Sequence, residues 1–289
     1  MTESKHILQI TAKAPSWGFD LFREISIALT DNGHQVTTVF INSAKDSPSG
    51  LVYGGDVIIL VLNNKNIFWR FTAIIQFIRI ITAKEYDSIV CHHYKPTSLL
   101  AFIDRLIPQK RLFMINHNPN NLRRKGRILI VRYLFSHRWS YVGVSEWVRR
   151  DFLEKAFFLE PKRMHVLYNC IDIAAIQANQ LERSEARNKL GIPQDAFVFG
   201  NIHRLDKSKG HDYMIRALAK SSEVMPAAIA VIIGGGDRKG LLEGIAEKCG
   251  VADRVMLAGV IHNASWYTNA FDVYVAPALH EGFGLGLLE

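Results

Sequence analysis

Short apolar, β-branched runs alternate with helix-patterned segments along almost the whole chain. In the first part, HILQITA, QVTTVFI, DVIILVL, DSIVCHH, RLFMINHN, SYVGVS and MHVLYN read as strands. Residues 20–32 (closed by Gly33), 67–83, 97–106, 127–137 and 146–156 between them carry helical patterns. A second alternation follows: AFVFGNI, AAIAVIIGGG, RVMLAG and DVYVAPA as strands, with helices over 211–220, 239–249 and 264–270. Strands that are apolar on both faces and separated by helices form parallel sheets covered on both sides. Two such series within 289 residues give two α/β domains of ordinary size. The polar stretch 173–195, with QANQLERSEARNKL and Gly191-Ile192-Pro193, breaks the rhythm and reads as the interdomain linker. The expected division is 1–172, linker 173–195, and 196–289. The last helix opens with LGLLE and has no stop signal, so the second domain is expected to be truncated at its C-terminus.

The net charge of +8 is unevenly placed. Residues 1–172 hold 23 Lys and Arg against 14 Asp and Glu, while residues 173–289 hold 12 against 13. Basic surfaces attract nucleic acid, anionic lipid or phosphorylated ligands. No nucleic-acid-binding module accompanies the charge, so nucleic acid is not an expected partner. Basic and apolar residues interleave in RRKGRILIVRYLFSHR (123–138) and in IFWRFTAIIQFIRII. That pattern fits either a face resting on anionic lipid or a core face with solvated arginines. Residues 68–81 are interrupted by Arg70, Gln76 and Arg79, too broken for a membrane span. Cys91, Cys170 and Cys249 are scattered, without a CxxC pair, and read as reduced thiols. MTESKHILQI enters the first strand directly. The expected location is the cytoplasm, with peripheral contact at the inner face of the cytoplasmic membrane.

Two loops carry the candidate chemistry. In NIHRLDKSKGHDYMIRAL, Arg204 and Lys209 follow a strand end and precede a helix start. Cations beside a helix N-terminus make an anion site, although a solvated basic loop has the same letters. In HEGFGLGLLE, Glu281 and Glu289 flank Gly282-Phe283-Gly284 after the last strand. Such glycines let backbone approach a ligand, and carboxylates beside a phosphate site suit sugar hydroxyls. Taken alone, a capping glutamate and a surface glutamate explain that spacing equally. His92 and His93 are adjacent, and strand alternation sends them to opposite faces, which argues against a shared metal.

RLDKSKGHDYMIRAL, VIIGGG, RVMLAGV and DVYVAPALHEGFGLGLLE, in this order, resemble the donor domain of retaining glycosyltransferases of the GT-B fold, family 4 (glycosyl transferases group 1). NGHQVTTVF, YVGVSEWVRRDF and VLYNCIDI extend the resemblance over the first half. It implies two Rossmann-like doubly wound domains, the first binding the acceptor and the second a UDP-sugar or GDP-sugar. It also implies hexosyl transfer with retention, in bacterial cell-surface polysaccharide or lipopolysaccharide synthesis, onto a glycan or lipid-linked acceptor. By position, Arg204 and Lys209 would bind the diphosphate, Glu281 the sugar hydroxyls and Glu289 the ribose. Gly282, Phe283 and Gly284 would offer backbone amides, and Gly259 and Val260 would lie near the base. His117 matches the histidine at the reacting sugar, and Gly18 the glycine loop near the diphosphate. No DxD-like motif is convincingly placed, so no metal and no cofactor are expected. Ser16-Trp17-Gly18, His203-Arg204 and Asn169-Cys170 depart from the usual pattern. A GT-B nucleotide-sugar epimerase and a non-catalytic nucleotide-sugar or polyanion binder are the alternatives.

Overall fold

The computed structural model describes residues 3–11, 21–41, 55–60, 69–107 and 110–289. Two compact units divide the chain, Met1–Cys170 and Ile171–Glu289. Gly18, with Ser16 and Trp17, lies outside the described residues.

In the first unit the described strands are β1 (His6–Thr11), β2 (Gln35–Ile41), β3 (Asp56–Leu60), β4 (Ser88–His92), β5 (Arg111–Asn116), β6 (Trp139–Gly143) and β7 (Met164–Val166). They form a parallel sheet in the order β3-β2-β1-β4-β5-β6-β7. The helices are α1 (Leu21–Asp31), α2 (Trp69–Ala83), α3 (Tyr94–Ile103), α4 (Lys125–Leu134) and α5 (Glu146–Lys155). Strand order reverses between β1 and β4, which leaves a crevice at their carboxyl ends. β1 and β2 are buried along nearly their whole length, as parallel strands covered on both faces are. Phe77 and Ile81 of α2 are buried in the same core as Leu8, Ile10 and Leu100. Phe77 and Ile81 therefore belong to the core face of that helix, while Ile75 is exposed. At α5, Ser145 Oγ accepts from Val148 N at 3.2 Å, an N-cap that starts the helix where the strand loop ends.

The second unit holds β8 (Val198–Ile202), β9 (Ile229–Ile233), β10 (Val255–Gly259) and β11 (Val273–Tyr274), parallel in the order β10-β9-β8-β11. Its reversal lies between β8 and β11. α8 (His211–Lys220) and α9 (Lys239–Lys248) pack on the sheet through Met214, Ile215, Leu218, Leu242 and Ala246.

The stretch 173–195, read as the interdomain linker, carries two helices. It contains α6 (Ile173–Asn179) and α7 (Arg183–Leu190), and it belongs to the second unit. Asp172 caps α6 by accepting from Ala175 N at 2.9 Å. Gly191, in the left-handed region at φ 70°, closes α7. Ala186 and Ile192 are buried against Val198, Ala270 and Phe271. Arg187 is fully buried and donates to the carbonyls of Ala270, Pro193, Gln194 and Ala196 and to Asp272. One of the polar letters of this stretch is thus a fully buried, hydrogen-bonded arginine.

Residues 264–270, expected to be α-helical, form a 3-10 helix, Ala264–Ala270. Ser265, Trp266, Tyr267, Thr268 and Asn269 are all mediocre α-helix formers.

Candidate active site

The reversal point of the second unit gathers the loops after β8 and β11. β8 ends at Ile202, and a 3-10 turn, Lys207–Lys209, follows. Asp206 caps that turn: its carboxylate accepts from Ser208 N at 2.9 Å and Ser208 Oγ at 2.5 Å. Gly210 then turns the chain into α8 at φ 66° and lies so near the β11 loop that a Cβ would meet Pro277 O at 2.0 Å. Only glycine allows that approach. Leu279 N donates to Ser208 O at 2.8 Å, and Asn201 Nδ2 to Val275 O at 2.6 Å. Asn201 Oδ1 faces His211 Nε2 at 3.0 Å, and both residues are fully buried. Two hydrogen bonds thus tie the β11 loop to β8 and its loop, beside the close approach at Gly210.

Their charged groups meet there. Lys209 Nζ lies 2.5 Å from Glu281 Oε2, with the lysine side chain 15% exposed and the glutamate 29%. Arg204 is 82% exposed and pairs with Asp206 at 3.0 Å. Burial, and next the Lys209 charge, hold His203 down at about 4, so its imidazole is neutral at pH 7. Glu281 turns back over the glycine turn, its Cγ 3.5 Å from where a Cβ on Gly284 would stand. Gly284 is left-handed at φ 88°, and Leu285–Leu287 follows as a 3-10 turn. Glu289 N donates to Leu285 O at 3.1 Å, the first α-type bond of the segment. Burial raises the Glu289 carboxyl above its ordinary value. Burial also raises Tyr274, to about 12, with Glu289 and Glu281 adding to the rise.

The neighbouring strand ends join this surface through glycines. Gly234 N donates to Gly259 O at 2.7 Å, and a Cβ on Gly234 would stand 2.0 Å from His203 O. Val260 Cγ2 packs over Gly235. Gly259 and Val260 therefore sit beside the β8 loop by way of Gly234 and Gly235.

In the first unit, His117 follows β5 at the carboxyl end of the sheet. His92 Nδ1 lies 3.0 Å from His117 Nε2, and His92 Nε2 lies 3.0 Å from Gln9 Oε1. The His93 and His117 rings are 4.3 Å apart. Burial holds all three histidines below their ordinary value. The adjacent pair does not diverge as strand alternation predicts, because His93 leaves the strand at φ 67°. Among the described residues no group of three or more His, Cys, Asp or Glu is arranged to hold a metal.

Of the expected site residues, the structure brings Lys209, Glu281, Gly284 and Glu289 to one strand-end surface. Arg204 stands at its rim, and Gly282 and Phe283 lie in the turn between. Asn201, His211 and Tyr274 join them without having been expected there, and His203, which stands where the family pattern has another residue, lies beside them. Asn201 is a polar residue in an otherwise apolar strand, and His211 directly follows Gly210, so both leave a trace in the sequence. The basic stretch sorts into two kinds. Arg127 covers the Tyr94 ring at 4.5 Å, and Arg138 pairs with the buried Asp104, so both are structural. Arg123, Arg124, Lys125 and Arg132 are exposed around α4, beside exposed Leu129 and Tyr133. No helix among the described residues is long and apolar enough to cross a membrane.

Two parallel sheets, each with polar side chains gathered at its reversal point, define the class as α/β, in which ligand crevices lie at strand ends. The Glycosyltransferase Family 4 family model matches residues 21–175, and the Glycosyl transferases group 1 family model matches residues 182–289. The chain belongs to glycosyltransferase family 4, group 1, and has the GT-B type of fold. It is similar to the uncharacterized glycosyltransferase MJ1059 of Methanocaldococcus jannaschii, at 24% identity over 80% of this chain and 61% of that protein. It is 29% identical, over 47% of its length and 34% of the relative, to the N-acetylgalactosamine-N,N'-diacetylbacillosaminyl-diphospho-undecaprenol 4-alpha-N-acetylgalactosaminyltransferase of Campylobacter jejuni. The Anabaena Alr3699/HepE structure, in complex with UDP and glucose, matches in fold with a TM-score of 0.73 at 19% identity, over 95% of this chain and 74% of that one. The chain thus spans less than two thirds of the length of these two curated relatives.

Proposed function

We propose that the protein transfers a hexosyl group from a UDP-sugar or GDP-sugar to a glycan or lipid-linked acceptor, with retention, in bacterial cell-surface polysaccharide or lipopolysaccharide synthesis. The observation that carries this is the Lys209–Glu281 pair at 2.5 Å across the β8/β11 reversal. One cation and one carboxylate, held side by side, match the two halves of a nucleotide sugar. Lys209 and Arg204 face the diphosphate and stabilise the charge it gains on leaving, which is where fixed cations act most strongly. Glu281 accepts from sugar hydroxyls, and the 282–284 turn offers backbone amides. Glu289 serves the ribose, Gly259 and Val260 the base, and His117 the reacting sugar. Arg204, Lys209 and the helix N-terminus supply the cationic charge, so transfer proceeds without a metal. Retention by front-face attack of the acceptor needs no protein nucleophile. UDP in the Alr3699/HepE complex and the undecaprenol-linked substrate in the Campylobacter enzyme's name support the donor and acceptor classes.

The test is release of UDP or GDP from a panel of nucleotide sugars, with and without glycan and undecaprenyl-diphosphate acceptors, and proton NMR of the product's anomeric centre. Acceptor-dependent release with retained configuration is expected. An inverted product removes the retaining mechanism. Interconversion of a nucleotide sugar without acceptor replaces the transferase with an epimerase.

Peripheral membrane contact at the cytoplasmic face belongs to the same proposal. It rests on the exposed Arg123, Arg124, Lys125, Arg132, Leu129 and Tyr133. Cosedimentation with phosphatidylglycerol vesicles is expected to weaken with salt and with neutral replacement of Arg123, Arg124 and Lys125. Binding that ignores both changes refutes it.

A further inference from the structure

A line of buried polar groups crosses the β1/β4 reversal in the first unit. Gln9 is fully buried between Leu8 and Ile10, where an apolar residue would cost less. Its Nε2 donates to Phe22 O at 2.8 Å, and a carbonyl oxygen only accepts. That fixes the orientation of the amide, so Oε1 faces His92 Nε2 at 3.0 Å. Oε1 also only accepts, so His92 Nε2 carries a proton. Burial pushes His92 down to about 3, so the ring is neutral and its Nδ1 is a bare acceptor. His117 Nε2, 3.0 Å from that nitrogen, must then be the donor. His117 is held well below its ordinary value by burial, and next by His92 and His93, so it too is neutral. The chain of acceptors and donors leaves His117 Nδ1 with a lone pair. Among the described residues no hydrogen bond engages that atom.

A second observation points to the same place. His93 sits at φ 67°, ψ 166°, a region that glycine alone favours and that costs other residues on the order of 1–3 kcal/mol. Its N–H donates to Ile115 O at 3.0 Å, and its ring lies tilted against His117 at 4.3 Å. Strained backbone of this kind persists where the surroundings enforce it, typically at ligand sites.

We propose that Gln9 and His92 are positioning residues that lock His117 as a neutral imidazole, with Nε2–H tied inward to His92 and Nδ1 presented as an acceptor for a ligand hydroxyl. The hydroxyl's identity, on the sugar or on the acceptor, rests on the transferase reading; the lock itself does not. The geometry also excludes His117 Nε2 from donating to a ligand while the lock holds.

Two experiments on the full chain separate the two levels. In the first, histidine is labelled with nitrogen-15, His117 is assigned by loss of its signals in His117→Gln, and long-range proton–nitrogen spectra read the tautomer. His117 is expected to show Nε2 protonated and Nδ1 bare near neutral pH. In His92→Leu, which keeps an apolar volume but has no acceptor, the lock should be lost and the His117 signals should shift toward a mixture of tautomers. His92→Gln, whose amide oxygen can accept, should restore the single tautomer. A His117 with protonated Nδ1, or signals unchanged by His92→Leu in a protein that still melts cooperatively, overturns the lock. Gln9→Leu should loosen the lock as His92→Leu does, and it serves if His92→Leu fails to fold.

In the second, UDP release from UDP-glucose and GDP release from GDP-mannose are followed. kcat should fall about 100-fold in His92→Leu with KM little changed, as for a misplaced positioning group, and His92→Gln should recover most of it. Equal losses in both variants mean a merely structural role and overturn the proposal. If the wild-type chain releases neither nucleotide, the transferase reading is at fault, and the spectra alone decide the lock.

Discussion

At Gly210 the β8 loop passes against the β11 loop with no room for a side chain, so alanine there is a sharp perturbation. Its Cβ would stand 2.0 Å from Pro277 O, and real contacts essentially never fall under 3.0 Å. The β8 and β11 loops must therefore part by about 1 Å. Two costs follow: left-handed backbone in a non-glycine residue, about 1–2 kcal/mol, and forced overpacking, about 1–3 kcal/mol. Gly250 separates them. It has φ 67°, against 66° at Gly210, but nothing lies within 4 Å of where its methyl group would stand. Gly250→Ala thus bears the backbone cost alone, and Gly210→Ala should be less stable than it by about 1–3 kcal/mol in urea unfolding. Parting the loops also separates Lys209 from Glu281. If a nucleotide diphosphate is gripped there, Gly210→Ala should weaken its binding about 10- to 100-fold, the worth of one charged hydrogen bond. Gly250→Ala should leave binding unchanged. Equal stability of the two variants, with undiminished nucleotide affinity in Gly210→Ala, would refute the steric reasoning and its link to the site.

Asn201→Leu leaves His211 Nε2 and Val275 O unpaired in the core, and thermal unfolding should show a loss of about 2 kcal/mol or more. Removing Arg187 leaves four carbonyls without their donor and takes away one of the two guanidiniums on Asp272, which keeps Arg183 and the Val198 N–H, so Arg187→Met should cost about 2–3 kcal/mol by denaturant titration. Burial alone would raise Asp272, but the Val198 N–H and the Arg183 and Arg187 guanidiniums outweigh it and hold the carboxyl below the ordinary 3.8. Its stabilisation is complete above that value and is lost as pH falls through the lower folded value. Wild-type stability should therefore fall more steeply than that of Asp272→Asn as pH drops below the ordinary 3.8, measured by urea unfolding at a series of acid pH values. Glu281→Gln should change stability by less than about 1 kcal/mol, because the ion pair is partly exposed. In calorimetry it should keep UDP or GDP binding while removing the extra affinity of the matching nucleotide sugar.

The sheets are legible because a parallel strand buried on both faces spells itself as a β-branched, mainly apolar run: QVTTVFI and IAVII lie where their letters put them. Glycines at turns are legible for the same local reason, as Gly33 and Gly191 illustrate. The region 173–195 is not, because the partners that bury Arg187 include Ala270 and Asp272, more than eighty positions away. A buried arginine looks like a surface arginine until its acceptors are in place. His92 and His93 mislead through a local rule applied one residue too far: alternation ends with the strand at His92, and His93 already has a positive φ. Lys209 and Glu281 can be nominated separately from loop chemistry, but their meeting depends on β8 and β11 being neighbours, which strand order decides. Gln9 escapes notice because one polar letter in HILQIT does not disturb the strand pattern, although its hydrogen bonds organise the histidines.

The central claim is that the loops after β8 and β11 form a diphosphate site centred on Lys209. Calorimetric titration of the folded chain with UDP and with GDP, beside Lys209→Ala and Arg204→Ala, tests it most directly. One of the two nucleotides should bind, with affinity falling at least about 10-fold in Lys209→Ala and less in the more exposed Arg204→Ala. A chain that melts cooperatively and binds neither nucleotide, or binds one equally well without Lys209, contradicts the claim.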